Sequence, residues 1–171
     1  MKALLVIDML NDFIKPEGAL YIGSVADQLV PAVKERLKYY RQQQLPVIYV
    51  CDRHYADDHE FNMFPPHALE GEDGGEVIET LEPLAGEKVI YKRRFSAFFG
   101  TDLDLTLREL GIKEVELAGC VTNICVLYTA ADARMLNYAV TVNQLAVNGF
   151  DPEAHRFALQ EMQKTLGVNI F

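Results

Sequence analysis

The 171-residue chain is predicted to fold as an α/β protein: a three-layer α/β/α sandwich on a six-stranded parallel sheet, Rossmann-like in topology. Three observations predict it. Short apolar runs rich in branched residues recur along the chain, continuous rather than alternating, as in strands buried on both faces. Segments with apolar residues at helical spacing lie between them. Three of the runs stop at a charged residue, Asp8, Asp52 and Lys92, which marks where a buried strand ends.

Residues 3–7 are the first strand. The loop NDFIKPEGALYIG leads into a helix over about residues 25–44, with Leu29, Val30, Val33, Leu37 and Tyr40 at helical spacing, and Pro46 stops it. Residues 47–50 make the second strand. Residues 52–76 form a loop longer than compact connections need, and its aromatic and histidine content favours order over disorder. A short helix over about 76–84 precedes a third strand at 88–91, after which Thr101 caps a helix that ends at Gly111. Residues 115–118 are the fourth strand and 119–122 a tight turn. A helix follows, with Thr122 and Asn123 as its natural caps. A fifth strand at 139–142, a helix over about 152–166 and a last strand at 168–170 complete the alternation.

One domain spanning residues 1–171 is the expectation for this length. A net charge of -9 argues against nucleic acid, which needs clustered Lys and Arg, and against docking on an anionic membrane. The opening MKALLVIDML reads as a strand rather than a signal peptide, and no apolar stretch approaches the roughly 20 residues of a membrane span. Three cysteines, an odd number without a zinc-type pair, suit a reducing cytoplasm and leave one of them for thiol chemistry.

In a parallel α/β sheet, ligands bind at the carboxyl ends of the strands, where the strand order reverses. Asp8, Asp52, Lys92 and the turn before Cys125 all fall at that edge. Cys125 lies in a first helical turn, where unpaired N–H groups and the helix dipole favour a thiolate nucleophile. Asp8 is the candidate base if its site raises its pKa, and Lys92 the candidate positive charge that lowers that of Cys125. Cys120, in the turn rather than the helix, is the weaker candidate nucleophile. A second constellation sits in the long loop: Asp52 and His54 two apart, then His59, Glu60 and His67, a mixed nitrogen and oxygen set of the kind that zinc, iron(II) or manganese accepts. Phe13, Phe64, Phe95 and Phe98 are candidates to wall a flat apolar substrate.

The segments VIDMLNDF, CDRHYADDHEFNMFPPHALEGEDG, YKRRFSAFFGTDLD and AGCVTNICVLYTAADA, in this order and spacing, resemble the isochorismatase-like cysteine hydrolases, and among them the nicotinamidases. The resemblance covers nearly the whole chain. It implies Asp8, Lys92 and Cys125 as a catalytic triad, and a cis peptide between Cys120 and Val121 that aims the N–H groups of Val121 and Cys125 at a developing oxyanion. It implies a divalent metal ion, zinc foremost with iron(II) or manganese as alternatives, held by Asp52, His54 and His67. Glu60 or His59 would be the fourth ligand, with Glu60 favoured by its spacing from FPPH. Phe13, Phe64 and Phe95 fall where such enzymes line a ring pocket. The implied reaction is hydrolysis of nicotinamide to nicotinate and ammonia through a Cys125 thioester, in nicotinamide salvage toward NAD. The alternative is another small amide or ureido substrate on the same triad. A small-molecule amide is thus the expected partner, homo-oligomers are common in such families, and the expected location is cytoplasmic.

Overall fold

The computed structural model describes the whole chain, Met1–Phe171. Six parallel strands, β1 (Lys2–Ile7), β2 (Val47–Asp52), β3 (Lys88–Lys92), β4 (Glu114–Cys120), β5 (Ala139–Asn148) and β6 (Asn169–Ile170), form one sheet in the order β3-β2-β1-β4-β5-β6. The helices are α1 (Asn11–Ile14), α2 (Ala26–Gln42), α3 (Leu103–Glu109), α4 (Leu127–Met135) and α5 (Pro152–Lys164). Because successive strand residues point to opposite faces, the continuous apolar runs feed two cores. Ala3, Leu5 and Ile7 pack with residues of α3, α4 and α5, whereas Leu4 and Val6 pack with Leu29, Val33 and Leu37 of α2. This is the expected three-layer sandwich, and its strand order reverses between β1 and β4.

Four local expectations are corrected. Residues 76–84 do not form a helix but only a 3-10 turn at Glu79–Leu81. Val77 instead bridges Leu10, and the Ile78 N–H donates to the Met9 carbonyl, so this stretch runs extended beside the chain leaving β1. Thr101 accepts from the Leu103 N–H, but the helix it precedes spans only Leu103–Glu109. The expected tight turn begins later, because β5 extends to Asn148 and pairs with Gly119 and Cys120, which stay in β4. Gly119 has φ of +122°, and a Cβ there would lie 2.0 Å from the Ile7 carbonyl oxygen. Only glycine suits that approach.

The helix carrying Cys125 opens as a π turn, Thr122–Val126, in which the Val126 N–H reaches back to the Val121 carbonyl at 3.2 Å, and only then continues as α4. Neither Thr122 nor Asn123 caps it. Thr122 Oγ1 lies instead 2.9 Å from Nδ1 of His155 on α5. No helix is long and apolar enough to cross a membrane.

Candidate active site

Asp8 leaves β1 with φ of +50°, an unfavourable backbone region for a non-glycine residue and one that recurs at functional sites. Its N–H bonds the Val50 carbonyl at 3.0 Å, and its Oδ1 accepts the Asp52 N–H at 2.8 Å, so the carboxylate is locked to the end of β2. Lys92, from the end of β3, is fully buried and inserts its ammonium between two acids. It forms an ion pair with Asp8 Oδ2 at 2.8 Å, donates to Asp52 Oδ1, and lies 3.5 Å from Cys125 Sγ. Carboxylate oxygens of Asp8 and Asp52 and the Cys125 sulfur lie within 4.8 Å of one another. The three strand ends and the π turn therefore bring Asp8, Lys92 and Cys125 together as expected.

Burial, reinforced by the Asp52 charge, pushes the Asp8 carboxyl up to about 6 against the pull of Lys92. That tuning suits a group that takes and returns a proton near neutral pH. For Lys92, burial works downward, but the Asp52 and Asp8 carboxylates outweigh it and keep the ammonium charged. Cys125 departs from expectation. Burial raises its thiol well above the ordinary value, and the nearby Lys92 only partly offsets this. Desolvation of the buried thiolate thus outweighs the pull of the Lys92 ammonium, which leaves the thiol in need of a base. Cys120 does not compete for the role: its Sγ donates to the Asp8 carbonyl at 3.1 Å, away from the pocket.

The peptide joining Cys120 to Val121 is cis, as the resemblance implied. No backbone or side-chain acceptor in the protein takes the Val121 N–H. Val121 and Cys125 both line the pocket.

The second constellation is also assembled. His54 Nε2 lies 3.8 Å from Asp52 Oδ2 and 4.0 Å from Glu60 Oε1, and His67 Nε2 lies 3.7 and 3.9 Å from the same two oxygens. Ligands of one zinc-sized ion, each about 2.0–2.2 Å from it, stand roughly 3–4 Å apart, so the spacing fits a metal. The donor chemistry fits as well. His67 Nδ1 bonds the Pro65 carbonyl at 2.8 Å and His54 Nδ1 bonds Asp58 at 3.1 Å, which leaves both Nε2 lone pairs facing the cluster. His54 Nε2 and Glu60 Oε2 are buried without a hydrogen-bond partner, the orphaned polar atoms expected where an ion would complete the set. Of the two candidates for fourth ligand, Glu60 is buried and faces the cluster, whereas His59 is exposed.

A narrow, mainly apolar pocket opens between the two constellations. Asp52, Glu60, His67 and Cys125 lie on its wall, with Phe13, Phe64 and Phe95 among its apolar lining. Phe98 is not part of it: that ring stacks on Tyr138 at 5.9 Å, within the α3–α4–α5 core. The sequence reading missed Leu20, Ile124 and Phe150, which also line the pocket: no periodicity marks the direction of the loop residues Leu20 and Phe150, and the π turn shifts Ile124 off the ordinary helical spacing. It also missed Asp58, behind His54. A serine, threonine, aspartate or asparagine just before a predicted helical turn is the signal that could have found it, since Asp58 caps the 3-10 turn His59–Asn62.

A buried acid, amine and thiol at the switch point of a parallel sheet, beside an apolar pocket, suit an amidohydrolase, and the relatives of this chain agree. It belongs to the isochorismatase family: the Isochorismatase domain model matches residues 2–170. A crystal structure of nicotinamidase/pyrazinamidase PncA from Bacillus subtilis superposes with a TM-score of 0.94 at 37% identity, over 99% of this chain and 98% of that one. N-carbamoylsarcosine amidase from Thermoplasma acidophilum gives 0.90 at 38% identity, over 99% and 94%. The pyrazinamidase of Pyrococcus horikoshii, solved in complex with zinc, gives 0.92 at 31% identity, over 99% and 98%.

Proposed function

We propose that this protein hydrolyses nicotinamide to nicotinate and ammonia, with Cys125 as nucleophile, Asp8 as proton carrier and Lys92 as the fixed cation between them. The observation that carries this reading is the shared cavity: one apolar, aromatic-walled space has the Cys125 sulfur and the Asp52, Glu60 and His67 side chains on its wall. A planar ring carrying an amide on one side and an acceptor nitrogen on the other suits it.

The chemistry follows from the residues. Asp8 takes the Cys125 proton as sulfur attacks the amide carbon, and the carbonyl oxygen becomes an oxyanion that the Val121 and Cys125 N–H groups stabilise. Collapse breaks the C–N bond, and Asp8 returns the proton to the departing ammonia, which leaves a thioester on Cys125. Water, deprotonated by Asp8, attacks that thioester; the acid departs and the thiol regains its proton. Lys92 holds Asp8 in place and offsets the negative charge that passes between oxygen and sulfur. A divalent ion held by Asp52, His54, Glu60 and His67 supplies, when bound, a Lewis-acidic partner for a ring nitrogen. The zinc complex of the Pyrococcus horikoshii pyrazinamidase supports zinc as that ion, and the reaction belongs to nicotinamide salvage toward NAD.

The test is ammonia release from nicotinamide by the purified protein, before and after chelation and after restoring zinc, iron(II) or manganese. Activity that falls on chelation and returns with metal is expected. Absence of turnover under every condition overturns the reading. The likeness to an N-carbamoylsarcosine amidase favours a second reading, hydrolysis of a small ureido compound on the same triad. Ammonia release from N-carbamoyl amino acids but not from nicotinamide would select it.

A further inference from the structure

We propose that Asp58 is the positioning residue of the metal-binding set: one buried carboxylate that aims His54 and anchors Glu60, and is itself held by Arg93 and Arg94. The proposal rests on the metal reading given above.

Asp58 has a fully buried side chain, and four donors converge on it. Oδ2 accepts from His54 Nδ1 at 3.1 Å and from Arg93 Nε at 2.9 Å; Oδ1 accepts from the Glu60 N–H and from Arg94 Nη1, each at 3.0 Å. Each contact has a consequence for metal binding. A neutral imidazole carries one N–H, and an acceptor at Nδ1 forces the tautomer whose Nε2 bears the lone pair. That Nε2 is the buried, unpartnered atom facing Asp52 and Glu60. Capping the turn His59–Asn62 through the Glu60 N–H sets where that turn starts, and so which way Glu60 points. One carboxylate thus orients two ligands supplied by different segments.

The arginines explain why the carboxylate stays put. Asp58 lies in a loop, but Arg93 and Arg94 follow Lys92 directly, and Lys92 belongs to β3. The run Lys92-Arg93-Arg94 carries the sheet edge to both centres: the first side chain enters the Asp8–Cys125 cluster, and the next two clamp Asp58. The two arginine side chains remain 45% and 40% exposed, so solvent shields their outer faces while their donors to Asp58 neutralise the buried acid.

Asp58→Asn isolates the effect. The amide is nearly isosteric but can offer an acceptor on one side only, so either the His54 Nδ1–H or the Glu60 N–H then faces an NH2 group. Apo protein, wild type and D58N, would be titrated with Zn(II) against a chromophoric chelator, and with Co(II) while recording its visible absorption. D58N is expected to bind Zn(II) about 10–100-fold more weakly, the usual effect of losing such an outer partner. Its Co(II) bands are expected to shift or weaken, with far-UV circular dichroism unchanged. A merely structural role would lower the unfolding midpoint and leave both metal readouts of the folded protein alone. Zn(II) affinity within about twofold of wild type, with the same Co(II) spectrum, overturns the proposal. Should D58N fail to fold, the double variant R93Q/R94Q, changed at half-exposed positions, decides it: weaker Zn(II) binding supports the proposal and unchanged binding overturns it. A wild-type protein that takes up neither ion overturns the metal reading, and the positioning role with it.

Discussion

Lys92 reaches past an entire strand to set its ammonium 2.8 Å from the Asp8 carboxylate. The two residues end β3 and β1, with β2 between them, a separation of about 10 Å at normal strand spacing. The length of the lysine side chain closes that gap, and Asp52 on the intervening strand lines its route.

This relationship gives Lys92 a structural role beside its proposed catalytic one. Lys92→Met removes the only cation between the buried Asp8 and Asp52 carboxylates. Breaking such a buried pair costs about 3–5 kcal/mol, so urea unfolding of the metal-free variant is expected at correspondingly lower denaturant. Ammonia release should fall to background. A variant as stable as wild type would contradict the ion-pair account.

The two cysteines near Asp8 are expected to respond in opposite ways. Cys125→Ala removes the pocket-facing sulfur and should reduce ammonia release by about 10³-fold or more. Cys120→Ala loses only a buried thiol that donates to the Asp8 carbonyl, and should keep turnover within about tenfold. The reverse pattern would sink the nucleophile assignment.

Glu60 and His59 are adjacent yet face opposite ways. Glu60→Ala is expected to lower bound metal, read by elemental analysis after dialysis, whereas His59→Ala should retain it within about twofold. Equal losses would show that the outward orientation of His59 is not maintained in solution.

His155 predicts a pH effect on stability. Burial lowers its pKa in the folded protein, so the unfolded chain binds its proton more readily. The stabilisation this provides is present above the unfolded value near about 6.5 and is lost as pH falls through it. Relative to His155→Gln, the wild type should therefore lose stability between pH 8 and pH 5, as measured by denaturant unfolding. A difference constant with pH would refute the half-buried, neutral assignment.

Gly119→Ala is expected to destabilise the sheet by about 3 kcal/mol or more, because the new Cβ meets the Ile7 carbonyl oxygen at 2.0 Å where φ is +122°. Calorimetry or denaturant unfolding reads the effect directly. Neutrality would mean that β1 and β4 can separate without loss, contrary to their pairing.

Much of the site was legible because it sits on strand ends. A buried parallel strand announces itself by a continuous apolar run, and the residue that ends the run is placed by topology at the edge where ligands bind. Asp8, Asp52 and Lys92 were found in this way. Residues outside regular elements were not. Phe98 and Phe95 look alike in sequence, yet one enters the core and the other lines the pocket, because the chain after β3 follows its contacts with α4 rather than a period of its own.

The sequence alone determined the α/β alternation, the parallel sheet and the chemical types gathered at its carboxyl edge, because these depend on local hydrophobic runs that any folded solution must bury. Tertiary structure decided which way loop side chains face, how a lone acid is neutralised and whether a thiol rests charged. Asp58 shows the reason: it is held by Arg93 and Arg94, 35 and 36 residues away, through contacts that exist only once β3 has paired with β2. Cys125 shows it too, since burial depth is a property of the whole packed molecule, and it raised a thiol that its place near a helix start alone would have lowered.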